Sequence, residues 1–434
     1  MGKLKPSIKR QEPRSLVKSE AEFLQFKKTT CRYCDTGLGE AFLDLGISPL
    51  ANSLPLVQEA EKEEFACPLQ LVKCQTCYLI QLSHVVPAEM MFSNYLYVSS
   101  TTQTFRDHFS EYAKSLKSKL AKKENALAVD IGSNDGLLLS CYKREGLRAV
   151  GVEPAENLST FANENGQTTV NRFFDAKTVD EIIKKYGQAD IVSGNNVFAH
   201  IDDIQSVFRN VNRLLNDAGI FVIEFPYLVT MIEGLLFDMI YHEHLSYISI
   251  ISLNYVLARF KFRIFAIDYV SSHGGSLRVF IQKTNGPYAI DQTVRTYLKS
   301  EDQKGYKHTE VYEQFGTDVR RIRDEIVKCV SDLKSKGHSI SGYGAPAKAT
   351  TLTNFCALKH EQIDFVVDDN PLKQNRLVPG TKIPIVSSDY FLKHPTDYVI
   401  IFAWNFAKEI LTKLTPLKDR GTRFVIPLPS LKIV

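Results

Sequence analysis

Short apolar runs that end in polar residues alternate with helical segments through the middle of the chain. Residues 126–131 (ALAVDI) form such a run, and the turn 132–136 leads from it into the helical segment LLLSCYKREG. Further runs follow at 148–153, 190–196 and 219–225. Apolar strands that alternate with helices indicate a parallel sheet covered by helices. This part of the chain is predicted to be a Rossmann-like α/β domain whose strand ends meet at one crevice.

The same pattern returns near the carboxyl terminus and predicts a second, smaller Rossmann-like α/β domain. Its apolar runs are separated by turns rich in glycine and proline; they lie at 338–342, 363–369, 398–404 and 423–427. Residues 288–336, between the two patterns, are mostly charged and helical in periodicity, which indicates a connector. A further helix is predicted over 105–122.

Composition narrows the class of protein. The 434 residues are 44% hydrophobic and 24% charged, with a net charge of +4, and such values are typical of a soluble globular protein of two or three domains. This small charge gives no reason to expect nucleic acid as a partner. The most apolar region, 220–240, contains Glu224, Pro226, Glu233 and Asp238, so no membrane partner is expected either.

The first 28 residues are polar and basic and lack the apolar segment of a secretory signal. A disordered leader is predicted here, with a targeting peptide as the alternative. The expected location is the cytoplasm.

Four of the eight cysteines form two Cys-x-x-Cys pairs, Cys31 with Cys34 and Cys74 with Cys77. Each pair puts two thiolates on a tight turn, the arrangement that tetrahedral zinc requires. A closed four-thiolate site is structural, so the zinc would stabilise a small N-terminal domain. Cys67 and His84 are nearby alternatives as ligands, and Cys67 is expected to be a small buried residue instead.

Acids lie at the ends of the first two predicted strands, Asp130 and Glu153. Gly132-x-x-x-Gly136 is not the G-x-G-x-x-G dinucleotide motif, and Asp-x-Gly-x-x-x-Gly is typical of domains that bind S-adenosylmethionine. Glu153 has the spacing of an acid that accepts hydrogen bonds from ribose hydroxyls. In the C-terminal pattern, Gly342-x-Gly344-x-x-Ala347 with Asp368 is a loose dinucleotide motif, so an NAD(P)-dependent enzyme stays an alternative.

The segment 237–249 (FDMIYHEHLSYIS) concentrates titratable side chains directly after an apolar region. Histidine, glutamate and tyrosine together cover the acid–base range that enzymes use. A surface turn with ordinary histidines is the alternative interpretation.

Taken in order, the motifs resemble those of the S-adenosylmethionine-dependent sugar C-methyltransferases, which act on nucleotide-linked 4-keto-deoxyhexoses. The resemblance covers residues 31–428 and rests on the two cysteine pairs and on DIGSNDG (130–136), GVEP (151–154), NNVFAHIDD (195–203), YHEH (241–244), GYGAPAK (342–348), VDDNP (367–371) and AWNF (403–406). Cys67 stands where an aromatic residue is more usual, and the leader does not match. A non-catalytic zinc-bearing scaffold of the same fold remains a third interpretation.

The resemblance implies three α/β parts with a nucleotide-linked keto-deoxysugar as the substrate partner. The predicted boundaries are 1–28 for the leader, 29–90 for the zinc-binding domain, 91–285 for the methyltransferase domain, 286–336 for the helical connector and 337–434 for the nucleotide-sugar domain. S-adenosylmethionine would be the cofactor, and the zinc would be structural. The sugar, the methylated carbon (C3 or C5) and the oligomeric state are not indicated.

The expected site residues fall into three groups. His244 would be the general base that forms an enolate, because the ordinary pKa of histidine, about 6.5, suits that task; the other catalytic candidates are Tyr241, Glu243, His200, Tyr95 and Tyr97. The cofactor-binding candidates are Asp130, Gly132, Ser133, Asn134, Asp135, Gly136, Glu153, Phe174, Asp175, Asn195 and Asn196. The substrate-binding candidates are His273, Arg278, Tyr343, Lys348, Asn354, Asp368, Asn370 and Trp404.

Overall fold

The fold is seen in a computed structural model, which describes residues 23–92, 103–120, 124–271 and 274–434. The strands of the described chain are β1 Ala41–Pro49, β2 Ala66–Lys73, β3 Ile80–Leu82, β4 Leu127–Ile131, β5 Arg148–Val152, β6 Thr169–Val170, β7 Ala189–Asn195, β8 Leu215–Pro226, β9 Ser246–Tyr247, β10 Phe262–Val270, β11 Ser276–Lys283, β12 Ile340–Tyr343, β13 Val366–Val367, β14 Arg376–Leu377, β15 Pro384–Val386, β16 Tyr398–Ile401, β17 Arg423–Ile426 and β18 Lys432–Ile433.

The helices are α1 Ala88–Phe92, α2 Gln103–Lys119, α3 Leu137–Arg144, α4 Glu156–Glu164, α5 Ala176–Tyr186, α6 Ile204–Leu214, α7 Leu228–Glu233, α8 Ile250–Arg259, α9 Gln292–Gln303, α10 Glu310–Ser335, α11 Ala347–Phe355, α12 Ser388–Lys393, α13 Ala407–Lys413 and α14 Thr415–Lys418. Single 3₁₀ turns lie at Val57–Glu59, Phe198–His200, Phe237–Met239 and Trp404–Phe406.

The central domain is a seven-stranded sheet in the order β10-β11-β8-β7-β4-β5-β6. Strands β8, β7, β4, β5 and β6 pair in parallel, and β10 and β11 complete the sheet in antiparallel pairing. Strand β4 lies between β5 and β7, so the strand order reverses there. Ligands of open α/β sheets bind at this switch point. The predicted crevice is therefore formed by the ends of β4, β5 and β7.

The C-terminal domain has its own seven-stranded sheet in the order β14-β15-β13-β12-β16-β17-β18. Strand β12 lies between β13 and β16 in parallel pairing, so this sheet has a switch point at the end of β12. The two predicted Rossmann-like domains are both present.

A four-stranded antiparallel sheet, β1-β2-β3-β9, forms the N-terminal domain. Its last strand comes from residues 246–247, which begin two positions after the YHEH motif (241–244). The N-terminal sheet and the motif are therefore joined by backbone hydrogen bonds. Sequence alone placed residues 246–247 entirely in the central domain.

The folded part of the chain includes residues before position 29, although the predicted leader extends to residue 28. Phe23 is buried with Leu50, Cys67 and Val86, and Lys27 forms a backbone bridge with His84. Residues 23–28 of the predicted leader are therefore part of the N-terminal domain, because an aromatic side chain fills a pocket there. Residues 1–22 lie outside the described chain.

The predicted connector consists of α9 and α10, and each helix packs on a different neighbour. Glu301 of α9 accepts hydrogen bonds from the backbone N–H groups of Ile250 and Ile251, at the start of α8 in the central domain. In α10, the ring of Tyr312 lies 5.4 Å from that of Phe42 in β1. The connector thus holds the N-terminal and central domains together. None of the helices in the described part of the chain is both long and apolar enough to cross a membrane.

Candidate active site and metal centre

The four paired cysteines converge in the N-terminal domain. The Sγ atoms of Cys31, Cys34, Cys74 and Cys77 all lie within 4.8 Å of one another, and three of these residues are buried. The Sγ atoms of Cys31 and Cys77 are 3.4 Å apart, as are those of Cys34 and Cys74. Such spacing fits four thiolates around one tetrahedral zinc ion, whose bonds to sulfur are about 2.3 Å long.

The two alternative ligands lie outside this cluster. Cys67 is fully buried in the small apolar cluster around Phe23, as predicted. The Nδ1 atom of His84 is 2.8 Å from the Ser83 hydroxyl. The cysteine set is therefore complete without either residue.

The turn after β4 forms one wall of the predicted cofactor crevice. Gly132, Asn134 and Gly136 all have left-handed backbone conformations, with φ of 68°, 50° and 80°. A Cβ atom on Gly132 would lie 2.9 Å from a methyl group of Val197, so only glycine fits there. The turn is thereby held close to the end of β7, where Asn195 and Asn196 lie.

Glu153 joins this turn to the end of β5. Its two carboxylate oxygens accept hydrogen bonds from the backbone N–H groups of Asn134 and Ala155, each at 2.9 Å. Burial raises the pKa of Glu153, and the two backbone donors partly offset that rise. A carboxylate oxygen has more than one lone pair, so ribose hydroxyls can still donate to Glu153.

Further polar atoms at the same edge lack a partner among the described residues. The Oγ atom of Ser133 and the Oδ1 atom of Asn196 are buried and make no hydrogen bond within residues 23–92, 103–120, 124–271 and 274–434. Buried polar atoms are almost always paired, so these two fit contacts to a bound ligand. Together with Glu153 and the glycine turn, they fit S-adenosylmethionine.

Asp130 faces the interior of the sheet. It is buried, its Oδ1 atom accepts a hydrogen bond of 2.6 Å from the Ser193 hydroxyl, and burial raises its pKa to about 7. Asp135 is also buried, and its carboxylate accepts a hydrogen bond from the N–H of Leu137 at the start of α3. Both acids shape the crevice through contacts within the protein.

Two of the predicted cofactor-binding residues, Phe174 and Asp175, make contacts within the fold itself. Phe174 is buried in the main core, and the Asp175 carboxylate caps α5 by accepting a hydrogen bond from the N–H of Thr178. The neighbouring Phe173 is about half exposed. Sequence could not separate two adjacent phenylalanines, because the direction of each side chain depends on the local backbone.

In the YHEH motif, Tyr241 and His244 form a hydrogen-bonded pair. The Nδ1 atom of His244 lies 2.8 Å from the carbonyl oxygen of Met239, and its Nε2 atom lies 2.8 Å from the hydroxyl of Tyr241. A carbonyl oxygen can only accept, so Nδ1 carries the proton in the neutral ring. The Nε2 lone pair therefore accepts a hydrogen bond from the tyrosine hydroxyl.

His200 lies next to this pair. Its ring is perpendicular to that of His244, with 5.0 Å between ring centroids. The N–H of Leu245 donates to the carbonyl of Ala199, which fixes the turn Phe198–His200 against the motif. The predicted residues His200, Tyr241 and His244 are thus brought together. Tyr95, Tyr97 and His273 lie outside the described residues.

The two residues between Tyr241 and His244 are buried. His242 is fully buried and its Nε2 atom donates to the carbonyl of Cys67; burial lowers its pKa to about 4, so it stays neutral. Glu243 accepts a hydrogen bond from the Asn52 amide, and burial raises its pKa. Its Oε2 atom makes no hydrogen bond in the described part of the chain. Asn52 lies between the two cysteine pairs and was not among the site residues predicted from the sequence.

Arg278 is engaged within the central sheet. Its Nε and Nη2 atoms donate to Glu224 at 3.0 and 2.9 Å, and His108 lies 2.9 Å from the other oxygen of Glu224. The contact is buried, so the predicted substrate contact competes with an existing ion pair.

Most of the C-terminal candidates bond to neighbours in their own domain. The Tyr343 hydroxyl donates to Asp369, and Lys413 bonds to both residues. The Asn354 amide donates to the carbonyls of Thr350 and Pro379. The Asp368 carboxylate accepts hydrogen bonds from the N–H groups of Ala345 and Asn370. The substrate contacts of these residues stay predictions.

Lys348 and Trp404 instead meet a residue of the central domain. The Trp404 indole N–H donates to the Asp238 carboxylate at 2.6 Å, and the Lys348 ammonium lies 4.1 Å above the Trp404 ring. Asp238 is fully buried, which raises its pKa to about 6. From the sequence alone, Asp238 was interpreted only as an obstacle to a membrane span. Because Asp238 lies inside the apolar segment 235–240, the sequence did carry a signal that this acid needs a polar partner.

Three family models match the chain in succession. They describe a zinc-binding domain over residues 31–92, a methyltransferase domain over 105–267 and a C-methyltransferase C-terminal domain over 271–429. The C-methyltransferase NovU of Streptomyces niveus is 33% identical over 404 residues, which cover 93% of this chain and 96% of that protein. The chain belongs to the C-methyltransferase family. This C-methyltransferase uses S-adenosylmethionine and binds structural zinc through the four cysteines.

Solved methyltransferase structures resemble this C-methyltransferase over about two-fifths of its length. Magnesium protoporphyrin IX methyltransferase of Synechocystis PCC 6803, with bound S-adenosylmethionine, is 12% identical at a TM-score of 0.32, and covers 41% of this chain and 79% of that one. An S-adenosylmethionine-dependent methyltransferase of Mesorhizobium loti is 14% identical at a TM-score of 0.33, with 41% and 100% covered. Such scores add nothing to the family assignment, which rests on the sequence matches.

Proposed function

We propose that this enzyme methylates a carbon next to the ketone of a nucleotide-linked 4-keto-deoxyhexose, with His244 as the general base. The observation that carries the proposal is the Tyr241–His244 pair, in which the imidazole is held as the Nδ1–H tautomer with its Nε2 lone pair directed at a hydroxyl. Carbon is methylated only as a nucleophile, and a ketone makes the neighbouring C–H acidic enough for a positioned base to remove its proton.

The pair suggests how proton removal begins. When a substrate ketone enters, the Tyr241 hydroxyl turns from Nε2 of His244 to the ketone oxygen. This frees the Nε2 lone pair to take the proton from the neighbouring carbon, and the electron pair of that C–H bond forms the enolate. The tyrosine O–H then stabilises the enolate oxygen, an electrostatic contribution that grows as charge develops.

The cofactor side of the reaction needs the crevice at the ends of β4, β5 and β7. S-adenosylmethionine, when bound, supplies the electrophilic methyl group. Glu153 would hold its ribose, and Ser133 and Asn196 offer the unpaired polar atoms described above. The turn Phe198–His200 follows β7 and contacts the YHEH motif. The crevice and the base therefore lie at the same edge of the central sheet.

Glu243 and His200 have supporting roles in this proposal. The buried Oε2 atom of Glu243 has no partner among the residues that the structure describes, and it fits a hydrogen bond from a sugar hydroxyl. The edge of the His200 ring limits where the His244 ring can turn. The cytoplasm stays the predicted location, where nucleotide sugars are available.

Replacement of His244 by Asn tests the proposal. Loss of the base should reduce kcat by roughly 10²–10⁴-fold, whereas S-adenosylmethionine should bind as before. Mass spectrometry would follow the gain of one methylene by keto-deoxysugar nucleotides, and calorimetry would follow the cofactor. Tyr241→Phe should retain part of the activity, since it removes only the O–H. Near-native turnover by His244→Asn would show that another residue is the base.

A further inference from the structure

The segment 237–240 begins with the buried 3₁₀ turn Phe237–Met239 and contacts the C-terminal domain at three of its four residues. The Phe237 ring packs edge-on against Phe355 of α11, with 5.3 Å between ring centroids. The Asp238 carboxylate accepts the Trp404 indole N–H at 2.6 Å. The next residue, Ile240, accepts a hydrogen bond of 2.9 Å from the Thr351 hydroxyl of α11.

Between these fixed points lies the carbonyl group that orients the base. The carbonyl oxygen of Met239 accepts the Nδ1–H of His244 at 2.8 Å. A carbonyl group is set by the torsions of its own residue and its neighbours, so clamping Asp238 and Ile240 fixes the direction in which Met239 points. The chain of contacts runs from Trp404 through Asp238 and Met239 to His244.

At the C-terminal switch point, Asp238 of the central domain takes the place that a bound anion would usually have. Lys348 lies in the first turn of α11, after β12, and Trp404 follows β16. Both residues therefore lie where an open α/β sheet usually binds an anion. The Lys348 ammonium donates to Asn405 at 2.8 Å and lies over the Trp404 ring. The carboxylate of Asp238, from the central domain, supplies the negative charge in this crevice.

We propose that Trp404, supported by Lys348, is a positioning residue that reaches through Asp238 and Met239 to hold His244 in the Nδ1–H tautomer. The proposal rests on the proposed function of His244 as the base. It assigns to Trp404 of the AWNF motif and Lys348 of the GYGAPAK motif a role in orienting the base rather than in contacting the substrate. The C-terminal domain then contributes to catalysis although its residues do not touch the reacting atoms.

Trp404→Phe tests this role, because it keeps an aromatic ring under Lys348 and removes only the N–H that Asp238 accepts. A base displaced by even 1 Å can lose about 10²-fold in rate. We therefore expect kcat to fall 10- to 100-fold, with KM for the sugar nucleotide and cofactor affinity changed less than about twofold. A higher KM at unchanged kcat would overturn the proposal and make Trp404 a substrate contact.

Two further variants distinguish a loss of His244 positioning from a general loss of stability. Asp238→Asn keeps an oxygen that accepts the indole N–H, so it should retain most of the kcat that Trp404→Phe loses. Phe406→Leu is the matched control, since Phe406 lies in the same 3₁₀ turn as Trp404 but is 39% exposed; it should leave kcat unchanged. If Phe406→Leu lowers kcat as much as Trp404→Phe does, the effect is a general loss of stability and the proposal fails.

A readout without substrate distinguishes failure of this proposal from failure of the proposed function. In ¹⁵N-histidine spectra, the signals of His244, identified by their absence in His244→Asn, should show the Nδ1–H tautomer in the wild type. Trp404→Phe should shift these signals toward a mixture of tautomers. Unchanged signals would overturn the positioning role, even if the enzyme methylates no keto-sugar. Should Trp404→Phe not fold, Thr351→Val removes only the hydroxyl that Ile240 accepts, and the same spectra decide.

Discussion

The central and C-terminal sheets use an acid after the second strand in the same way, yet they place it in different surroundings. Glu153 accepts an N–H from the glycine turn (Asn134) and one from its own loop (Ala155). Asp368 accepts an N–H from the corresponding turn (Ala345) and one from its own loop (Asn370). In the C-terminal domain, however, Lys373 also lies 3.7 Å from the Asp368 carboxylate and donates to the carbonyl of Ala345.

The crevices beside these acids differ as well. In the central sheet, Ser133 and Asn196 leave buried polar atoms without a partner among the described residues. In the C-terminal sheet, Lys348 and Trp404 face Asp238 from the other domain. The same local motif therefore borders the predicted cofactor crevice in one domain and a domain contact in the other. The acid and the glycine turn form the same backbone arrangement in both domains. The side chains that face this arrangement determine what it contacts.

The largest expected effect comes from removing each acid in turn. Glu153→Ala should weaken S-adenosylmethionine binding by about 100-fold, since two hydrogen bonds to a carboxylate contribute about 3 kcal/mol. Asp368→Ala should leave that affinity unchanged. Calorimetric titration with the cofactor measures both. Equal losses in the two variants would mean that the acids do not differ in use.

A smaller effect is expected from the acid on the first strand. Asp130 is buried with a pKa raised to about 7, whereas the corresponding position of the C-terminal sheet is Gly342. A raised folded-state pKa favours the folded protein at low pH, and that advantage is lost as pH rises from about 4 through 7. Between pH 5 and 7, the loss should be roughly 2 kcal/mol.

Asp130→Asn removes this pH dependence while it keeps an oxygen that accepts the Ser193 hydroxyl. The free energy of unfolding in urea, measured without cofactor, should therefore fall between pH 5 and 7 by roughly 2 kcal/mol more in the wild type than in the variant. Parallel curves for the two proteins would show that Asp130 does not titrate in this range.

The smallest effect distinguishes the ligands of the two crevices. At ten times its Kd, S-adenosylmethionine should raise the free energy of unfolding by about 1.4 kcal/mol, because it binds only the native state. NAD at the same concentration should produce no shift, since the Lys348 crevice already faces Asp238. Thermal denaturation with each ligand measures the difference. A shift with NAD would revive the dinucleotide interpretation of Gly342-x-Gly344-x-x-Ala347.

Much of the fold was readable from local sequence. Apolar runs with polar ends predicted the strands of both Rossmann-like sheets, and two Cys-x-x-Cys pairs predicted the metal cluster, because strand burial and thiolate spacing are properties of short segments. The ordered motifs predicted the family, which the sequence matches confirm. Tyr241 and His244 were also named in advance, because they belong to one short motif with only two residues between them.

Contacts between distant segments were decided only by the tertiary structure. Asp238 with Trp404, Glu243 with Asn52, and β9 with β3 each join residues more than 160 positions apart. Nothing in one sequence tells an acid which distant donor it will meet, because the free energy of that contact depends on how whole domains pack. The sequence determined which groups could do chemistry, and the packing of three domains determined which of them face the crevice and which hold the base in place.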